Sequence, residues 1–165
     1  MPRRLASIAA LAVGEGKAEM ELLIHIRQLY LPRGCGTTLK VRGNIGKGGR
    51  GVLTHTIRVS AGVDYDRRIA VLDTDVDWDD DERQRASAEG ITVIESDPCL
   101  EAWLLAIHGV NPQLSSKAIK REFLDRFGAP AHDPAVYPRY FGRQRLDEAR
   151  AVVPTLNRLL IALGV

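Results

Sequence analysis

The chain has 165 residues, of which 45% are apolar and 27% charged, a composition that excludes disorder, collagen-like repeats and coiled coil and fits an ordinary globular domain. The net charge of +2 says little about partners. The charge is segregated, however: residues 1–60 are basic, residues 61–101 carry 13 acidic against 4 basic side chains, and residues 102–165 are basic again.

In chain order, Leu5–Val13 reads as a strand buried on both faces. Its two leading arginines and short apolar run resemble a signal peptide, but the run is far short of the roughly 20 residues that span a bilayer. The turn and amphipathic helix that follow at once favour a strand. Gly14-Glu15-Gly16 makes that turn, and Glu19–Tyr30 has apolar residues at helical spacing. Pro32, Gly34 and Gly36 break the helix, and Thr37–Val41 reads as a second strand. A basic glycine loop, Gly43–Gly51, leads into a helix over Val52–Ala61. Ile69–Leu72 is a continuous apolar run, the mark of a central parallel strand. Asp79–Ala88 is a polar helix with acids at its start, where the helix dipole favours them. Ile91–Ile94 is a fourth strand. Pro98 opens a helix over Cys99–His108, with Asp97 or Ser96 as its cap. Ser115–Phe127 and Arg143–Leu163 are further helices. The alternation predicts a parallel three-layer α/β fold, organised as an α/β domain over residues 1–110 and a helical extension over 111–165 packed on it. Cys35 and Cys99 are too few for a disulfide framework and fit a reduced, cytoplasmic setting.

Two acidic signals fall at the carboxyl ends of predicted strands, where open α/β sheets place ligands. One is Glu15 after the first strand, with Glu19 a helical turn on. The other is Asp73-x-Asp75-x-Asp77 after the third. If those strands are neighbours, the acids converge, and several carboxylates in one place call for a hard divalent cation. Such an ion neutralises phosphate charge and activates water. The competing reading is structural, because loops and helix starts are rich in Asp. The same choice holds for Glu101, a metal or water ligand or a salt-bridge partner, and for the glycine loop, a phosphate cradle with Lys47 and Arg50 or a surface loop. That loop is not a Walker A motif, since Gly48 follows Lys47 where Ser or Thr is required. Tyr137–Arg145 mixes aromatics with Arg139, Arg143 and Arg145, either to grip nucleic acid or to close off the helical tail. The four histidines show no metal spacing, although His55 adjoins the glycine loop and is a candidate phosphate or nucleic-acid contact with Lys47 and Arg50.

The segment Val13–Glu19 (VGEGKAE) resembles the opening motif of TOPRIM domains, as in the OLD nucleases. Leu72–Asp77 (LDTDVD) resembles the TOPRIM D-x-D motif, and Ser96–Leu105 (SDPCLEAWLL) is similar to the signature of the RloB family. The resemblance covers residues 5–110. It implies a Rossmann-like TOPRIM fold with a small, mainly parallel sheet of about four strands and a C-terminal helical extension. It further implies a Mg²⁺-dependent nuclease, with Mn²⁺ able to substitute, acting on DNA or RNA in a restriction or anti-phage setting. Carried over by position, Glu15 is the acid/base or metal-linked carboxylate, Asp73 and Asp75 are metal ligands, Asp77 a looser third and Glu19 the second opening acid. Lys17, Lys47 or Arg50 balances transition-state charge. Ala18, Leu100 and Ala102 depart from the family patterns.

Two alternatives accompany this reading. One is a non-catalytic metal, nucleotide or nucleic-acid-binding module working with a defence partner protein. The other is a small-molecule phosphohydrolase with Asp73 as nucleophile, which Asp77 disfavours. No membrane partner is expected, and the apolar face of Val152–Leu163 permits a homodimer.

Overall fold

The computed structural model describes residues 7–43 and 48–165. Four strands, β1 (Ile8–Gly14), β2 (Thr37–Gly43), β3 (Arg67–Asp73) and β4 (Thr92–Ser96), form one all-parallel sheet in the order β2-β1-β3-β4. The helices are α1 (Lys17–Tyr30), α2 (Gly48–Ser60), α3 (Asp80–Ala88), α4 (Leu100–Ile107), α5 (Ser116–Phe127), α6 (Val136–Tyr140), α7 (Arg143–Ala149) and α8 (Pro154–Leu163). This is the expected three-layer, Rossmann-like α/β arrangement.

Strand periodicity sorts the core into two layers. Ala10, Ala12, Ile69, Val71 and Ile94 face one side of the sheet and join an apolar cluster with α1, α4 and the helices α5–α8. Leu11, Val13, Ala70 and Leu72 face the other side and pack with Val52, Leu53 and Ala86 of α2 and α3. On the edge strand β2, Leu39 and Val41 are buried while Thr38, Lys40 and Arg42 are exposed, and such charge suits an unpaired edge.

Three details differ from the sequence-based expectation. First, α2 begins at Gly48 and not at Val52. Glycine is a poor helix former, but here the Gly49 and Arg50 amides donate to the Val76 and Asp77 carbonyls, at 3.1 and 2.9 Å, which anchors the first turn. Second, the expected helix over Arg143–Leu163 is two helices. Pro154 cannot continue a helix from the preceding turn but suits the first position of α8. Third, the aromatic segment forms the short helix α6. His25 Nε2 lies 2.7 Å from the Phe141 carbonyl and His108 Nε2 lies 2.9 Å from the Tyr140 carbonyl, so two imidazoles satisfy the orphan carbonyls at its end.

No helix among the described residues is long and apolar enough to cross a membrane.

Candidate active site

In this strand order, β1 and β3 are neighbours whose onward connections leave on opposite faces of the sheet. A crevice therefore opens between their carboxyl ends, at the topological switch point. Glu15 follows β1 there and Asp73 ends β3. Gly14 lets α1 come close, because a Cβ on it would sit 2.6 Å from the Glu19 Cβ. That approach brings Glu19 in beside them. Glu101, on the first turn of α4, completes the acidic group. A cleft of about 260 Å³ is lined by Glu15, Lys17, Glu19, Asp73, Glu101, Lys120 and His132.

Each carboxylate has a defined setting. Glu15 Oε2 accepts the Asp73 amide at 2.8 Å. Asp73 Oδ1 accepts the Leu100 amide at 2.9 Å, at the amino terminus of α4. The expected cap of that helix, Asp97 or Ser96, is thus replaced: Cys99 occupies the capping position without a side-chain bond, and a carboxylate from another strand takes the orphan donor. Glu19 Oε2 accepts the Gly16 amide at 2.9 Å and closes the first turn of α1.

Asp73, Glu19 and Glu101 are all buried. Burial, with Glu19, Glu15 and Glu101 nearby, pushes the Asp73 carboxyl up to about 8. Burial raises Glu19 to about 7, against its own and the Gly16 amides and with Glu15 and Glu101 adding to the rise. Burial raises Glu15 as well, opposed by the Asp73 amide and reinforced by Asp75. Burial alone would lower the Lys120 ammonium, but Glu101, Asp73, Cys99 and Asp75 outweigh it and hold it above its ordinary value. The cleft therefore gathers more carboxyl groups than its own cations offset, and without a further cation Asp73 and Glu19 hold their protons into the neutral range.

A hard divalent cation fits this donor chemistry, which is all carboxylate oxygen, with one oxygen each of Glu15 and Asp73 left without a hydrogen bond. The ligand shell is not assembled as the side chains stand: among the described residues no three His, Cys, Asp or Glu are grouped closely enough to hold a metal ion.

The remaining sequence candidates lie elsewhere. Asp75 is exposed at the rim, where Ser116 Oγ donates to its Oδ2 at 2.9 Å. Asp77 does not line the cleft; it takes a positive φ of 51° in the turn that receives the α2 amides. Arg50 Nε pairs with Glu82 at 3.0 Å. His55 stands on α2 with Arg58 3.0 Å from its Nδ1. Arg143 donates to the Leu29 carbonyl at 3.1 Å, covering the carboxyl end of α1, and Arg139 lines a different groove. Lys47 lies outside the described residues.

Lys120 and His132 were not among the sequence candidates. Both come from the helical tail, and no local pattern marks them. The signal that bears on them is the aromatic segment: Tyr137 Oη donates to the Ala131 carbonyl at 2.7 Å and lies 3.2 Å from the Ala18 carbonyl, which sets the loop that carries His132 against the start of α1. Comparison with protein-family models, curated proteins and solved structures finds no match to this chain.

Proposed function

We propose that this chain is a Mg²⁺-dependent nuclease of the TOPRIM type, similar to the RloB group, acting on nucleic-acid phosphodiesters. The observation that carries the reading is the meeting of Glu15, Glu19, Asp73 and Glu101 in one cleft across the β1/β3 switch point, with lysines at its rim. A bound Mg²⁺ or Mn²⁺ supplies Lewis acidity and a more acidic water. Asp73, Glu15 and Glu101 are the side chains to hold it, with Asp75 at the margin. Glu19, buried beside them with its Oε2 on the Gly16 amide, is the carboxyl we assign to proton transfer. Lys17 and Lys120 offset the charge of the phosphate. The anti-phage setting and the defence partner protein belong to this proposal through the family resemblance, whereas the apolar face expected to serve a homodimer is spent on the chain's own core, where Leu156, Leu159, Leu160 and Leu163 are buried.

The test is calorimetric titration of Mg²⁺ and Mn²⁺ into wild type and Asp73→Asn, with DNA and RNA cleavage assayed on the same preparations. Asparagine keeps the acceptor for the Leu100 amide, so the variant is expected to fold, which its thermal melt checks. The expected result is metal binding and cleavage in wild type and neither in the variant. Cleavage that persists in both Asp73→Asn and Asp75→Asn sinks the assignment. A second reading, metal-dependent binding without cleavage, is favoured by the unassembled ligand shell. Tight Mg²⁺-dependent nucleic-acid binding without products would support it.

A further inference from the structure

β2 is an outer strand, so one row of its backbone groups faces away from β1. The Ile8 amide donates to the Gly36 carbonyl at 2.8 Å, and alternation along the strand turns the Leu39 and Val41 carbonyls off the sheet. Two guanidiniums cover them. Arg27 Nη1, reaching over from α1, donates to the Leu39 carbonyl at 3.3 Å, and Arg42 Nη1 donates to the Val41 carbonyl at 3.0 Å. A guanidinium has five N–H donors, so most of them remain for an anion. Lys40 is exposed two positions before Arg42, about 7 Å away along the strand.

No acid offsets the charge of this edge. From Met20 to Ser60 the chain holds seven lysines and arginines and a single acid, Glu21. The Glu21 charge bears on Tyr137, on the side of α1 that meets the tail. Neither β2 nor α2, the neighbouring helix on the opposite face of the sheet, contains an acid. Asp66, at the amino end of the sheet, lies across β1 and accepts the Ala9 amide at 2.7 Å. Among the described residues Arg27, Lys40 and Arg42 form no ion pair.

The edge also leads to the acidic cleft. Lys17, Met20 and Arg27 follow one another on one face of α1, in steps of three and seven residues. Met20 packs over Gly43, the last residue of β2, which lays that face along the strand's edge. Lys17 lines the cleft with Glu15 and Asp73. From Arg27 to Lys17 the helix rises about 15 Å, the length of about four phosphates of one strand.

We infer that the β2 edge binds the backbone of double-stranded nucleic acid and leads it past Lys17 into the cleft. Contacts of this kind position a duplex without reading its sequence. A duplex carries twice the charge per unit length of a single strand, which favours it on a purely electrostatic strip. Residues 31–64 include no Phe, Tyr or Trp on which an unstacked base could lie. Covered carbonyls and like charges also oppose an added strand from a second copy. The inference rests on the nuclease reading, whose substrate it makes a duplex.

The test is anisotropy in chelator, so that nothing is cut, with short labelled DNA and RNA duplexes and their separate strands. Wild type is expected to bind duplex more tightly than single strand. Lys40→Thr/Arg42→Thr puts β-forming residues at two exposed positions. It is expected to weaken duplex binding by about tenfold or more and to flatten the log–log salt slope by roughly 1.8, the share of two phosphate contacts. Lys40→Glu/Arg42→Glu, which keeps the edge charged and soluble, is expected to abolish binding. Thermal melts check that both variants fold. Arg145→Ala/Arg158→Ala removes the same charge from two exposed tail positions and is expected to bind like wild type. Preference for single strands, unchanged duplex affinity in the folded β2 variants, or an equal loss in the tail variant overturns the inference. Equal competition by polyglutamate, charge for charge, would give the edge to an acidic protein and overturn it too. The two readings fail separately. If Asp73→Asn abolishes cleavage while the β2 variants bind and cut like wild type, the edge falls and the nuclease stands. If no substrate is ever cut but the β2 variants still lose duplex binding, the nuclease falls and the edge stands.

Discussion

Asp73 sits at the end of β3 with its Oδ1 on the Leu100 amide, and its charge is opposed by burial and by three neighbouring carboxylates. With Glu19 it carries protons in the folded chain at pH values where the unfolded chain has released them, since their carboxyls stand at about 8 and about 7 against ordinary values of 3.8 and 4.5. The folded state thus binds more protons than the unfolded state between those limits, and stability falls as pH rises from about 4 to about 8. In chelator, the melting temperature of wild type is expected to drop across this window. Asp73→Asn removes the largest contribution, so its curve should be flatter and lie above wild type by at least about 3 °C at the alkaline end. Parallel curves for the two proteins in a pH series of thermal melts would show that Asp73 is not strained in this way.

At the level of elements, the glycine run is a packing device in its described part. A Cβ on Gly49 would lie 2.9 Å from the Trp78 ring, and Gly48 has a φ of +62° with Val76 and Asp77 around it. The first turn of α2 is pressed onto the turn after β3, and its amides are already engaged by Val76 and Asp77. The phosphate-cradle expectation for Arg50 therefore meets a paired side chain and occupied backbone donors. Gly49→Ala is expected to cost about 1–3 kcal/mol through overpacking, seen as a fall of roughly 3–10 °C in Tm. Gly142→Ala, whose Cβ enters open space, is the control and should change little. Equal melting of the two variants would remove the packing account. The aromatic segment resolves in the same way. Tyr137 and Phe141 are fully buried and close off the helical tail, which leaves Tyr140 and Arg139 as the accessible pair.

Across the whole molecule, the cleft draws on both ends of the chain. Glu15 and Glu19 come from the first connection, Asp73 from the third strand, Glu101 from α4, and Lys120 and His132 from the tail. The tail also completes the core: Ile119, Phe123, Phe141, Leu156 and Leu160 join Leu100, Leu104 and Ile107 in one apolar cluster against the sheet. Truncation after residue 110 strips α4 of these partners, and the fragment is expected to lose its cooperative thermal transition by circular dichroism. A sharp, two-state melt of residues 1–110 would show instead that the α/β part folds by itself.

Most of the fold was legible in the sequence because strand and helix periods are local. Ile69–Leu72 reads as a buried parallel strand, and Glu19–Tyr30 carries helical spacing that the structure extends back to Lys17. Helix starts were less legible, since the partners of the first amides of α2 and α4 lie far away in the chain, at Val76, Asp77 and Asp73. The sequence alone determined the alternating α/β architecture and put Glu15, Glu19, Asp73 and Glu101 on connections that could meet. Only the tertiary structure decided that they do meet. It also decided that Arg50 and Arg143 serve neighbouring chain segments and that Lys120 and His132 line the cleft with the acids. The reason is physical: strand order and helix packing set which distant side chains share a dielectric and a charge, and no local pattern records that.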